Sequence, residues 1–288
     1  MNSKLKKLLK IAFSVLFVLA VSFFVVKGCV QKKPAVYEKP AVKAVVKKKI
    51  IRKKALSPQA GASAEQVPQG PRMAIILDDW GNSFILTKYA IDIGRPITLS
   101  ILPHLPQSQK IAEEAYTNNL GVMLHMPMQP KNQIRGLEPH TILVTMPEKD
   151  ILVYLDSALE SIPHVEGVNN HQGSAATSDT RVMRAVLGDL KSKGLFFIDS
   201  NTISTTVAPR VAQELGIKFT KRDVFIDNEM NPETIKNQLR RAEKIALKHG
   251  RVVVIGHDRK MTLLAIKQMV PEIEAAGVEF VLAKDLVE

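Results

Sequence analysis

Residues 73–79 read MAIILDD and residues 251–258 read RVVVIGHD. Each is a short apolar run, rich in β-branched residues, that ends abruptly in ionisable side chains. A strand buried on both faces reads as a continuous apolar run rather than an alternating one, and such strands belong to parallel sheets covered by helices. Working outward from these two, further runs of the same kind occur at 97–102 (ITLSIL), 121–126 (GVMLHM), 165–170 (VEGVNN), 195–199 (LFFID), 217–220 (IKFT) and 278–283 (VEFVLA). The segments between most of them carry helix signals. Ser178 is placed to cap a helix over 179–193, and Asn231-Pro232-Glu233 supplies an N-cap, a first-turn proline and an early acid for 232–249. Gly194, Gly216, Gly250 and Gly277 each stand where a helix must close before the next strand. The connection 127–147 is long and holds Pro127, Pro130, Pro139 and Pro147, which points to a functional or decorated loop. Seven or eight strand–helix units imply an α/β fold with a closed or nearly closed parallel barrel, with an open doubly wound sheet as the alternative.

The charge is unevenly placed. Residues 1–70 carry a net +13 and residues 71–288 a net −1, so the overall +12 belongs to the tail. A nucleic-acid surface needs its basic residues clustered on a folded face, and here they are not. The single cysteine, Cys29, also lies in the tail, so any metal in the remainder must sit on His, Asp or Glu. Lys4, Lys6, Lys7 and Lys10 precede a 16-residue uncharged run, Ile11–Val26. The pattern predicts a basic cytoplasmic start and signal-anchor helix within 1–30, with a lipoprotein signal ending at Cys29 as the alternative. Residues 31–70, rich in Lys, Pro and Ala, are expected to form an extended, disordered linker, and 71–288 the folded domain. This organisation predicts a single-pass inner-membrane protein whose domain stands in the periplasm or cell envelope.

In parallel α/β folds the chemistry sits at the C-terminal ends of the strands. Those ends hold Asp78-Asp79, His104, His125, Asn169-Asn170-His171, Asp199-Ser200 and His257-Asp258, while Arg222-Asp223 and Asp227 follow the sixth strand. His140, His164 and His249 lie elsewhere and read as surface residues. Two adjacent carboxylates repel unless a cation or proton lies between them. A divalent metal, with zinc the leading candidate, held by one carboxylate and two histidines leaves an open position for water, with the second carboxylate free as a base. Asp78 and Asp79 offer the carboxylate, and His104, His125, His171 and His257 the imidazoles.

The segments ILDDWG (76–81), LHMPMQP (124–130), GVNNHQGS (167–174), FFIDS (196–200), RDVFIDN (222–228) and VIGHD (254–258), in this order, resemble the divergent polysaccharide deacetylase family, a branch of a superfamily of carbohydrate esterases. The resemblance spans essentially 72–288. It implies a distorted (β/α) barrel, a divalent metal, and removal of acetyl groups from a glycan such as peptidoglycan. It implies Asp78 as general base, Asp79 and His125 as metal ligands, and His257 as general acid. Asp199 would orient a neighbour, and Asn170, Arg222 and Asp227 would support the site or the substrate. The superfamily's second metal histidine corresponds to Gln129, and His171 is the natural replacement, so the expected ligands are Asp79, His125 and His171, with His104, which ends the intervening strand, as the rival. The proline-containing segment expected after His257 reads Asp258-Arg259-Lys260. These departures keep a second expectation open, a catalytically weak relative that binds glycan or an envelope protein.

Overall fold

The computed structural model describes residues 70–132 and 136–288. The expected anchor and linker, 1–30 and 31–70, fall outside the described residues apart from Gly70. Among the described residues no helix is long and apolar enough to cross a membrane.

Nine strands alternate with seven helices. The strands are β1 (Arg72–Trp80), β2 (Thr98–Ile101), β3 (Gly121–Met128), β4 (Gly167–Gln172), β5 (Phe196–Asp199), β6 (Phe219–Lys221), β7 (Val224–Phe225), β8 (Arg251–His257) and β9 (Glu279–Val281). The helices are α1 (Thr87–Ile91), α2 (Ser108–Thr117), α3 (Glu148–Glu160), α4 (Thr180–Ser192), α5 (Ala208–Leu215), α6 (Pro232–His249) and α7 (Lys260–Ala275). Every strand pair is parallel, and eight strands run in the order β6-β5-β4-β3-β2-β1-β8-β7, with β9 added to β1. The two end strands of this path are separated in sequence only by Arg222 and Asp223. The Arg222 N–H bonds the carbonyl of Asp199 on β5 (2.9 Å), and the next N–H, of Asp223, bonds that of Val253 on β8 (2.9 Å). One dipeptide thus spans both edges, and the sheet must curl until they meet. The arrangement fits a distorted barrel.

Side-chain alternation divides the strands into two faces. Met73, Ile75 and Leu77 of β1, Leu124 of β3, and Val252 and Val254 of β8 face outward into the core shared with the helices. Ala74, Ile76, Met123, Phe196, Ile198, Val253 and Ile255 face inward as a separate apolar cluster. Below it the chain's end acts as a plug. Val281, Ala283 and Leu286 join the inner cluster, and the Ala283 N–H bonds Thr98 Oγ1 (3.0 Å). The barrel floor is therefore apolar and closed, and the same inward alternation two residues further along β1, β3 and β8 delivers Asp78, His125 and His257 to its mouth.

Two sequence expectations change. β7 adds a ninth strand to the eight expected, because its two residues are too few for a periodicity signal. The α4 cap is Asp179, not Ser178. The Asp179 carboxylate accepts the N–H groups of Arg181 (2.8 Å) and Val182 (3.1 Å), whereas Ser178 Oγ bonds back to the Ser174 carbonyl (3.0 Å). The other expected terminus holds, with Asn231 Oδ1 accepting from Glu233 (2.9 Å) and Thr234 (3.2 Å) and Gly250 closing α6 at φ 80°. An N-cap carboxylate contributes roughly 1 kcal/mol. Asp179→Ala should therefore lower unfolding free energy by about 1 kcal/mol in a denaturant titration, while Ser178→Ala should cost clearly less.

Candidate metal centre

β1 carries the decisive irregularity. Its pairing with β2 runs Leu77 to Leu99 but then Trp80 to Ile101, so β1 holds one residue more than its partner across Asp78-Asp79. This is a β-bulge. Asp79 sits within it at φ 68°, in the left-handed region. A regular strand would send consecutive side chains to opposite faces. The bulge turns both carboxylates toward the barrel mouth.

Asp79 Oδ1 lies 3.3 Å from His125 Nε2 and 3.1 Å from His171 Nδ1, and these two nitrogens are 3.1 Å apart. An ion bound at the usual zinc distances of about 2.0–2.1 Å in tetrahedral geometry spaces its ligand atoms about 3.3 Å apart. The three atoms therefore fit one face of such a site. Asp79 Oδ1 is also buried without a well-angled hydrogen bond. Among the described residues this is the one set of three His, Cys, Asp or Glu side chains whose donor atoms converge in this way.

The surroundings hold these groups in defined states. Asn169, fully buried, donates its amide N–H to Asp78 Oδ1 (2.9 Å). Its oxygen lies 2.7 Å from His125 Nδ1 and 2.5 Å from Ser100 Oγ. With the amide nitrogen committed to Asp78, the oxygen is an acceptor, so His125 carries its proton on Nδ1 and turns Nε2 toward Asp79. Asp78 is almost fully buried, with its other oxygen 3.6 Å from His125 Nε2. Burial pushes its carboxyl up, against the opposing pull of His125 and Asn169. Burial pushes Asp79 the same way, but hydrogen bonding and charge from His125 and His171 prevail and hold it well below the usual carboxylate range.

Across the mouth, His257 Nε2 lies 3.7 Å from Asp79 Oδ2. Its Nδ1 meets Asp227 Oδ1 at 2.9 Å, and Asp227 Oδ2 accepts from the His257 N–H (2.9 Å) and Thr262 Oγ1 (2.8 Å). Burial would lower the imidazole's pKa, yet the buried Asp227 with Asp79 and Asp78 raises it above its ordinary value. Asp258, beside the cluster, is pushed up to about 7 by burial and by the charge of Asp79.

The remaining sequence candidates fall elsewhere. His104 is exposed, stands against His140 (ring centroids 4.7 Å apart) and Ser157 of α3, and is not part of the triangle. Gln129 turns its side-chain oxygen to the Val144 N–H (2.8 Å), tying down the long connection. Asp199 accepts from Thr206 Oγ1 (2.7 Å) and the Asn201 N–H (2.8 Å), so the neighbours it orients belong to the loop after β5. Asn170 bonds the Ser200 N–H (2.9 Å), and Arg222 clamps the Ser200 (2.6 Å) and Asn201 (2.9 Å) carbonyls. Asn169 is the residue sequence reading did not single out. Its signal was available, since Gly167, Asn169 and His171 share one face of β4 and Asn170 the other.

Fold and cluster together define a parallel α/β-barrel protein with a candidate metal centre at the C-terminal rim. The pattern of the family described as divergent polysaccharide deacetylase matches residues 75–287, and the chain belongs to that family. It is 34% identical over 199 residues to the uncharacterized protein YibQ of Escherichia coli K12, a match spanning 69% of this chain and 62% of that protein. An uncharacterized protein of Haemophilus influenzae is 31% identical over 196 residues, spanning 68% of this chain and 70% of that one. The crystal structure of an uncharacterized protein from Agrobacterium tumefaciens C58 shares the fold with a TM-score of 0.73 at 24% identity, over 80% of this chain and 92% of its own.

If the cluster holds zinc and Asn169 orients it, Asn169→Ala should weaken zinc binding by about 10- to 100-fold, as loss of a group that orients a ligand does. It should also destabilise the fold by roughly 1–3 kcal/mol by leaving the buried Asp78 without its donor. Asn170→Ala should lower stability and leave zinc affinity unchanged. Zinc titration and thermal unfolding of both variants check this.

Proposed function

We propose that the protein is a metal-dependent hydrolase that removes acetyl groups from a glycan. The observation that carries this reading is the converging triangle of Asp79, His125 and His171 with a second carboxylate, Asp78, held beside it and an imidazole, His257, opposite. Membership of the divergent polysaccharide deacetylase family supports the substrate class.

Asp79, His125 and His171 would hold the ion, and zinc suits one carboxylate and two imidazoles. When bound, the ion supplies Lewis acidity toward an acyl oxygen and a lowered pKa for water. The protein's own groups account for the proton movements. Asp78, fixed by Asn169, takes a proton from the attacking water as that oxygen bonds to the acyl carbon. His257, kept protonated and oriented by Asp227, gives its Nε2 proton to the departing sugar nitrogen or oxygen as the acyl bond breaks. The products are acetate and a free amine or hydroxyl.

A binding-only role, for a glycan or an envelope partner, is the second reading. Gln129 in place of the second histidine favours it. Purified protein should contain about one zinc and release acetate from acetylated oligosaccharides; zinc without turnover would select the binding role. His171→Ala should lose stoichiometric zinc yet remain folded. Asp78→Asn should keep the metal and lose turnover by at least about 10²-fold, within the range for a general base. Stoichiometric zinc in His171→Ala, or full activity in Asp78→Asn, contradicts the assignment.

We further propose that 11–26 anchors the chain and 31–70 spaces the folded domain from an inner membrane, so that the site faces envelope glycan. A reporter active only in the periplasm, fused after Glu288, should be active; activity only of a cytoplasm-specific reporter contradicts this topology.

A further inference from the structure

Ser200 follows the last residue of β5 and is 6% exposed, yet its hydroxyl has no hydrogen-bond partner among the described residues. Its backbone, in contrast, is fixed on both sides. The N–H donates to Asn170 Oδ1 (2.9 Å) and the carbonyl accepts from Arg222 Nε (2.6 Å). Phe196 and Ile198 face the inner cluster, and Asp199 turns the other way to Thr206. Continued alternation aims Ser200 inward. The register pairs Asn169 with Ile198, so two residues further Ser200 stands level with His171. Around the mouth the order is His257 on β8, Asp78 and Asp79 on β1, His125 on β3, His171 on β4, then Ser200. Its hydroxyl lies in the sector between His171 and the end of the circuit, where Phe225 packs edge-on to His257 (5.3 Å) and under the Arg222 guanidinium (4.8 Å).

A buried hydroxyl without a partner costs stability, and each such group calls for an explanation. The Asp199, Asn170 and Arg222 contacts all act on the segment that carries this one side chain. We infer that Ser200 Oγ is a substrate-binding group that donates its hydrogen bond to the acyl oxygen of the bound acetyl group. This rests on the deacetylase reading above. Negative charge develops on that oxygen when water adds to the acyl carbon, and a pre-aimed donor in a water-poor site stabilises it. Ser200 and Asp78 stand on different walls of the mouth, so water can be activated from one side while the oxygen is received on another. The Phe225 ring, packed against the inner cluster and edge-on to His257, offers an apolar surface to a methyl group.

Ser200→Ala in the full chain tests this, with three readouts. Metal-free protein should melt at or slightly above the wild-type temperature, because no partner is lost. Zinc affinity should be unchanged. Acetate, the acyl product, should bind the zinc-loaded variant at least about tenfold more weakly in a calorimetric or NMR titration, the loss of one hydrogen bond to a charged acceptor. With an acetylated oligosaccharide or 4-nitrophenyl acetate, kcat/KM should fall by on the order of 10²-fold. A lower melting temperature of the metal-free variant would give the hydroxyl a structural role and overturn the inference. Unchanged acetate affinity would overturn it also. If wild-type protein binds zinc but hydrolyses neither substrate, the deacetylase reading fails, while the acetate titration still decides whether Ser200 receives an acyl oxygen.

Discussion

The extra residue in β1 is the constraint on which the site depends. Two adjacent aspartates on a regular strand would point to opposite faces, one into the mouth and one toward the helices. The bulge at Asp78-Asp79, with Asp79 at φ 68°, brings both to one side. A left-handed conformation at a non-glycine residue is unfavourable, and surrounding structure must hold it. Here the neighbours are strong. β8 runs alongside β1 from Arg72 to Asp78, and beyond the bulge the Leu102 N–H bonds the Trp80 carbonyl (2.8 Å). Pairing on both sides of the irregularity leaves the chain little alternative.

Much of the fold was legible because parallel strands covered on both faces have an unmistakable apolar signature. The runs at 73–77, 121–126 and 251–256 all became strands in one sheet. Helix ends with glycine or Asn-Pro-Glu were legible because their cause is local. β7 was not, because two residues carry no period and its place follows from closure across Arg222 and Asp223. The α4 cap was misplaced by one residue because Ser178 and Asp179 are both competent caps, and only backbone geometry decides between them.

The site was legible to a different depth. Strand ends identified the rim, and the structure brings Asp78, Asp79, His125, His171 and His257 together there. His104 shows the limit of the rule. It follows the end of β2 by three residues, and at φ 60° it turns to His140, delivered by the long connection that Gln129 fastens. Asn169 was hidden for the opposite reason. Its importance comes from burial between Ser100, Asp78 and His125, residues 69, 91 and 44 positions away. No local pattern reports such contacts.

The departure at Gln129 acquires a physical sense from the strand register. Pro127 of β3 pairs with His171 of β4, so a side chain at 171 rises beside the end of β3 and can meet His125 Nε2 from the neighbouring strand. A donor atom can therefore reach the same triangle from β4 as readily as from four residues further along the chain. Position 129 is then free for another task. Its backbone N–H takes the Ile142 carbonyl (2.9 Å), its carbonyl takes the N–H groups of Ala175 and Ala176, and its side chain takes Val144. One residue thus joins the end of β3, the long connection and the segment after β4. The glutamine is the clasp of the rim, while the side chain that stands against His125 Nε2 comes from the adjacent strand.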